Sequence, residues 1–288
     1  MMEELNQERL LKFMYSRHIV NWRNLDNFII KSNIILQNKP VEELAKFDHD
    51  HFFGVEATDH CIYVTNIDQN SIVLDIGSGL GGPARYIALK ANCNICGIEV
   101  QRDRYDYGIY ITEKMGFAKK QIDLLLGDAT NVLWDKQHVK KYTHIIAFLS
   151  ILHMVQKKEM LGRLGTMLCP NGWVYIEDFC LGPNPAQGRD LRETVACPGL
   201  LSYDDCIEEL KKGGLQIDFE EDLTKSWKEL ARQRSEIFCK AKESPEIINN
   251  FVADYETIPQ ASCLYENIYN LFERGAIRGI RIIGRRKP

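Results

Sequence analysis

The densest concentration of chemically suggestive residues is Leu74-Asp75-Ile76-Gly77-Ser78-Gly79-Leu80-Gly81-Gly82. A short apolar run ends in glycines, and Pro83 then opens a helical stretch. Glycines permit a tight turn and let a ligand lie against the backbone with no Cβ in the way. Gly77, Gly79 and Gly82 fit G-x-G-x-x-G, the spacing of dinucleotide sites. Asp75 argues for a different ligand, because a carboxylate there repels a pyrophosphate but suits a cationic amino group. Glu99, 22 residues after Gly77, closes the next apolar run, and its two oxygens can take both hydroxyls of a ribose. Asp128 follows the third run and can accept the exocyclic amine of an adenine. Three acids at successive strand ends suit a cationic nucleoside without phosphates. His153, just beyond a fourth apolar run, can take a proton from an ammonium or hydroxyl. Asp178, after a fifth, can pair with a cationic acceptor or cap a loop. Tyr15 can fold over such a pocket from the N-terminal segment.

These residues need elements to hold them. The spacing predicts strands at 72–76, 95–100, 122–126, 144–149 and 173–177. Helices are predicted between them at 83–90, 102–115 and 156–168. Short strands alternating with helices imply βαβ units and a mostly parallel sheet. Residues 181–199 read as a Gly- and Pro-rich loop. Ser202 caps a helix running to Lys212, residues 215–219 form a strand, 224–274 are helical, and 275–284 form the last strand. The glycine turn then lies at the carboxyl ends of the strands, where open α/β sheets bind their ligands.

The sequence Asp75-Ile-Gly-Ser-Gly-Leu-Gly, the strand-end Glu99 and Gly127-Asp128-Ala129 resemble motifs of class I S-adenosylmethionine-dependent methyltransferases. The resemblance implies an α/β fold: a Rossmann-like seven-stranded sheet with helices on both faces and an antiparallel last strand. It implies S-adenosyl-L-methionine as cofactor and S-adenosyl-L-homocysteine as product. Asp75, Gly77 and Gly79 would line its methionine end, Glu99 its ribose, and Asp128 with Ala129 its adenine. Ser78, Val100 and Leu149 complete the expected cofactor site. Residues 1–70 would form a helical lead-in and lid, and 71–288 the catalytic domain, with an insertion at about 224–274 roofing the acceptor.

Ser150-Ile151-Leu152-His153 resembles a stretch of phosphoethanolamine methyltransferases, and sarcosine/dimethylglycine N-methyltransferases carry a similar Leu-His. Asp178-Phe179-Cys180 resembles the Asp-Tyr-Cys of the former group, and residues 49–58 resemble the segment that closes over the cofactor. These matches imply a small-molecule acceptor, with His153, Asp178 and Tyr15 as the catalytic candidates. The Arg-Asp pair that precedes the histidine stretch in that group is Phe148-Leu149 here, so the carboxylate that would orient the histidine is absent. C- or O-methylation of a bulky apolar acceptor, tocopherol- or sterol-like, stays open beside N-methylation of a small amine, as does a non-catalytic S-adenosylmethionine-binding protein.

Composition narrows the remaining classes. The chain has 288 residues, 45% hydrophobic and 26% charged, with a net charge of −4. That excludes a disordered chain and shows no basic excess of the kind nucleic-acid binders carry. The nine cysteines have no framework spacing and are read as free thiols of a reducing compartment. Cys93-Asn-Ile-Cys96 enters a strand, and Asp48-His49-Asp50-His51 reads as a polar turn, so no metal is expected. The N-terminal Met-Met-Glu-Glu is acidic where a signal peptide is basic and then apolar. No apolar run approaches the roughly 20 residues of a membrane span. A cytoplasmic location is expected.

Overall fold

Residues 72–76 read Ile-Val-Leu-Asp-Ile, apolar on both sides of the chain, as expected of a strand buried between two helical layers. They form the centre of the molecule in a computed structural model that describes residues 29–30, 33–131, 140–185, 188–241 and 258–288. The elements run α1 (Val41–Asp48), α2 (Val55–Thr65), β1 (Ile72–Ile76), α3 (Gly82–Ala91), β2 (Asn94–Glu99), α4 (Arg102–Lys114), β3 (Ile122–Leu126) and β4 (Tyr142–Phe148). There follow α5 (Lys157–Leu161), α6 (Leu164–Met167), β5 (Leu168–Leu181), α7 (Gly188–Val195), α8 (Tyr203–Lys212), β6 (Leu215–Asp222), α9 (Thr224–Ala241), α10 (Ile258–Glu273) and β7 (Ile277–Arg286).

The sheet has seven strands in the order β3-β2-β1-β4-β5-β7-β6. Strands β1 to β5 pair in parallel, and β7 runs antiparallel between β5 and β6. The order reverses between β1 and β4, which opens a crevice at their carboxyl ends. One core layer packs α1 to α4 against the sheet through residues such as Leu44, Val73, Ile87 and Ile111. The other packs α5, α6 and α8 through Leu74, Ile145, Leu164 and Leu210. A third cluster, around Phe52, Phe179, Trp227 and Phe272, joins the lead-in segment to α9, α10 and β7.

Three expectations are corrected. The helix expected over 156–168 is two short ones, parted at Gly162-Arg163, where glycine weakens the helix interior and the turn tightens through Arg163 N–H to Met160 O at 3.1 Å. Strand β5 extends well beyond 173–177 because β7 pairs with it from Trp173 to Leu181. Asp178 therefore lies inside the strand, opposite Ile280, and not at its end. The expected loop at 181–199 contains α7, whose Leu191 and Val195 are buried in the third cluster. Tertiary burial there outweighs the local Gly and Pro signals. Ser202 does cap α8, its hydroxyl accepting from Asp205 N–H at 3.0 Å.

Candidate active site

The turn after β1 is built by left-handed backbone. Gly77 has φ +74° and Gly79 φ +55°, and a Cβ on Gly77 would lie 2.4 Å from Ser150 Cβ. The Gly77 and Ser78 N–H groups both donate to Ile98 O, at 2.9 and 3.0 Å, which fastens the turn to β2. Gly79 N–H donates to Glu99 Oε2 at 2.9 Å and Gln101 N–H to Glu99 Oε1 at 2.8 Å. Each carboxylate oxygen has a second lone pair, so Glu99 is held by the backbone and still offers acceptors to the crevice. Burial raises its pKa, against the nearby Arg104.

Asp75 is 2% exposed, and its Oδ2 has no hydrogen-bond partner. Burial first, and then the charge of Glu99, push its pKa up to about 7. A buried carboxylate with an unmet acceptor is costly unless something fills it. The buried Ser78 hydroxyl beside it is likewise unpartnered.

Both groups face a cavity of about 550 Å³. Its wall includes every expected cofactor residue: Asp75, Gly77, Ser78, Gly79, Glu99, Val100, Asp128, Ala129 and Leu149. Asp128 is an exposed rim residue two positions past β3, and its Oδ1 accepts from Thr130 N–H at 2.8 Å and Thr130 Oγ1 at 2.7 Å. Val100 is half exposed on the same rim.

Beyond β4 the chain turns sharply. Leu149 has φ +48°, an uncommon conformation for a side chain this bulky, and one that collects at functional sites. Its N–H donates to Glu177 O at 2.8 Å, and Ser150 Oγ donates to Ile76 O at 2.6 Å. The next turn, Ile151–His153, brings His153 to the cavity wall with Nδ1 3.3 Å from Ala196 O. Asp178 is not on that wall. Its Oδ2 accepts from Ile151 N–H (2.8 Å) and Leu152 N–H (3.1 Å), and its Oδ1 from Phe179 N–H (2.7 Å). Burial raises the Asp178 pKa to about 7, against those three hydrogen bonds. Where the related histidine stretch has a preceding Asp, this chain steadies the histidine turn through its backbone. Tyr15 lies outside the described residues.

The lead-in segment at 48–54, which overlaps the stretch at 49–58 expected to close over the cofactor, lines the cavity through Asp48, Asp50 and His51. Asp48 pairs with Arg85 of α3 at 2.8 Å, both nearly inaccessible, and Asp50 pairs with Arg104 of α4. His51 stacks on Phe148 with ring centroids 4.4 Å apart. Its Nε2 lies 3.0 Å from Gly54 O, and burial lowers its pKa to about 3, so it is neutral at pH 7. The ion pairs of Asp48 and Asp50 were not legible in the sequence, because acids alternating with histidines read equally well as a polar turn.

A second cavity of about 70 Å³ adjoins the first. Asp50, His51, Leu149 and His153 line both. Phe52, Leu152, Phe179, Val195, Arg234, Leu264, Tyr265 and Ile268 complete it, four of them from α9 and α10.

A sheet of this order, with a glycine turn after β1 and acids at the ends of β1 and β2, defines a Rossmann-like protein of the methyltransferase type. The chain belongs to the methyltransferase-domain family, whose pattern matches residues 67–275. It is 24% identical over 249 residues to phosphoethanolamine N-methyltransferase 3 of Arabidopsis thaliana, covering 82% of this chain and 46% of that one. It is 25% identical over 190 residues to the sterol 24-C-methyltransferase of Schizosaccharomyces pombe, covering 61% and 46%. The chain thus spans about half the length of these curated relatives. Its fold resembles that of a putative sarcosine dimethylglycine methyltransferase from Galdieria sulphuraria, with a TM-score of 0.68 at 15% identity over 81% of this chain and 84% of that chain.

Proposed function

We propose that the larger cavity binds S-adenosyl-L-methionine and that the chain transfers its methyl group to a small amine presented from the smaller cavity. The observation that carries this reading is the buried, unpartnered Asp75 carboxylate facing a cavity beside two left-handed glycines. A ligand with a cationic amino group at one end and a ribose at the other satisfies Asp75 and the open lone pairs of Glu99. The adenine falls to the rim at Asp128 and Ala129. When bound, the cofactor supplies an electrophilic methyl group on a sulfonium.

The rest is done by side chains of this chain. Phe148 and Leu149 at the end of β4, and His51 stacked above, exclude water where the two cavities meet. His153 receives the proton that an ammonium acceptor must lose. Its Nδ1 beside Ala196 O selects the Nδ1–H tautomer and makes Nε2 the basic nitrogen. Asp178 acts as a positioning residue, through the backbone of the histidine turn. Alignment of two reactants in adjoining cavities can by itself be worth effective molarities of about 10⁵–10⁸ M.

The apolar side chains of the smaller cavity and the likeness to a sterol C-methyltransferase favour an apolar acceptor as a second reading. A volume of about 70 Å³ speaks for the small one. Among the described residues no helix is long and apolar enough to cross a membrane. The nine cysteines are free thiols, which supports a cytoplasmic location. The test is calorimetry with S-adenosyl-L-homocysteine and NAD, followed by labelled methyl transfer to glycine derivatives, phosphobases and prenylated phenols. Binding of NAD in preference to S-adenosyl-L-homocysteine would sink the reading.

A further inference from the structure

The smaller cavity carries one cation that nothing in the proposed chemistry uses. Arg234, in the middle of α9, donates through Nη1 to Tyr265 Oη at 3.1 Å. Its guanidinium lies 5.7 Å from the Phe52 ring centroid and 5.2 Å from that of Tyr265. Phe52 is fixed in turn by stacking on Trp227 at 4.6 Å. Two aromatic rings, one of which also accepts through its hydroxyl, thus hold the planar group, and one of its five N–H donors is accounted for. No carboxylate among the described residues forms an ion pair with Arg234. Asp50, the acid on the same wall, is paired with Arg104. The neighbouring His51 feels the Arg234 charge.

We infer that Arg234 is the anchor for an anionic group of the acceptor, a carboxylate or a phosphate, and that the acceptor joins such a group to its amine. This rests on the proposed assignment of the two cavities. A guanidinium suits the role because its fork matches two oxygens of either anion at once. The aromatic rings limit its freedom, so little is lost on ordering. An anion held at Arg234 also directs the other end of a short acceptor toward Leu149 and His153, the residues shared with the larger cavity. Between the two ends the wall is apolar, made by Phe52, Leu152, Phe179, Val195 and Ile268. The acceptor is therefore a compact amino acid or phosphobase, and an amine without an acid group binds poorly.

The experiment titrates the S-adenosyl-L-homocysteine-loaded protein with N,N-dimethylglycine, phosphoethanolamine and N,N-dimethylethylamine, in wild type, Arg234→Gln and Arg234→Lys. The wild type should bind at least one of the two anionic probes and leave the third essentially unbound. Arg234→Gln should weaken the anionic probe by about 10- to 100-fold, the range for a lost charged hydrogen bond. Arg234→Lys should restore part of that for a phosphate, which a point charge can hold, and less for a carboxylate. The pattern across the two probes identifies which anion is read. Unchanged affinity for S-adenosyl-L-homocysteine in both variants shows that the fold persists. Equal binding of all three probes, binding of none, or indifference to Arg234→Gln would overturn the inference. Failure of S-adenosyl-L-homocysteine itself to bind the wild type would overturn the proposed function instead.

Discussion

The two adjoining cavities are built by different physics. The larger is made by the ends of β1, β2, β3 and β4 and the turns that follow them. Its side chains are fixed by main-chain hydrogen bonds: Gly79 and Gln101 on Glu99, Thr130 on Asp128, Ile76 on Ser150. The smaller is made where six segments meet, and packing holds it: Phe52 on Trp227, Phe179 against both Phe52 and Phe272, Arg234 over Tyr265. A wall set by sheet register cannot change without changing the fold. A wall set by side-chain packing can be remade by a few substitutions. One scaffold can thus keep a single methyl donor and present it to acceptors as unlike as a phosphobase and a sterol.

The sharpest way to break this contrast is Gly79→Val. The valine would have to adopt φ +55°, strained for a β-branched residue, and its Cβ would begin 2.6 Å from Arg104 Nη2. The guanidinium that must yield is the one holding Asp50 over the cavity. Binding of S-adenosyl-L-homocysteine should disappear from calorimetry, with the melting temperature lowered. A variant that binds normally would detach the glycine turn from the cofactor. Next in size is His153→Ala, which should lower kcat by roughly 10²–10⁴-fold, the usual loss of a positioned base, and leave cofactor affinity intact. Asp178→Asn keeps the shape but replaces an acceptor with an amide beside the Ile151 and Leu152 N–H groups. It should lower kcat by a smaller factor and shift the pH profile, because the turn that aims His153 loosens. Near-normal turnover in His153→Ala would make the histidine a structural residue.

The same contrast explains what the sequence made legible. Glycines at 77 and 79, Asp75 and Glu99 lie within 25 residues, and strand periodicity alone puts them at neighbouring strand ends. The seven strands and the antiparallel β7 came with the family resemblance, not with periodicity, and the strand order only with the structure. Arg234 and Tyr265 are far from that motif and look like ordinary members of amphipathic helices, so their meeting with Phe52 depends on packing that no local pattern encodes. Asp178 was misplaced for a related reason. Nothing in residues 173–181 announces that β7 will pair with them and carry the strand past the acid. Asp50 and Arg104 are a pair only after the lead-in has folded back across α4.

A smaller effect tests whether Glu99 is a ligand or only a clasp for the turn. Its two oxygens already hold the N–H groups of Gly79 and Gln101, so Glu99→Gln separates the roles better than a truncation alone. Glu99→Ala should weaken cofactor binding by about 1–3 kcal/mol, the range for leaving buried hydrogen-bond partners unpaired. Glu99→Gln can accept through one oxygen and should lose less. If urea denaturation shows both variants destabilised while cofactor affinity is unchanged, the ribose lies elsewhere and Glu99 serves the turn.

The mildest test uses pH and a single atom pair. The Asp75 pKa is raised from 3.8 to about 7 by burial and by Glu99. In the unliganded protein the folded state therefore holds this proton more tightly than the unfolded chain. The contribution to stability is complete below the unfolded value near 4 and is lost as pH rises toward about 7. Cofactor binding runs the other way, since a cationic amino group needs the ionised carboxylate. Affinity for S-adenosyl-L-homocysteine should rise with pH by up to about tenfold per unit below 7, the limit for one linked proton, and level off above it. Calorimetry in buffers of different ionisation enthalpy should show that proton released on binding. Asp75→Asn should bind more weakly and lose the pH dependence. A wild-type affinity that is flat between pH 5.5 and 8 would mean that the amino group does not meet Asp75, and the glycine cavity would need a ligand turned the other way.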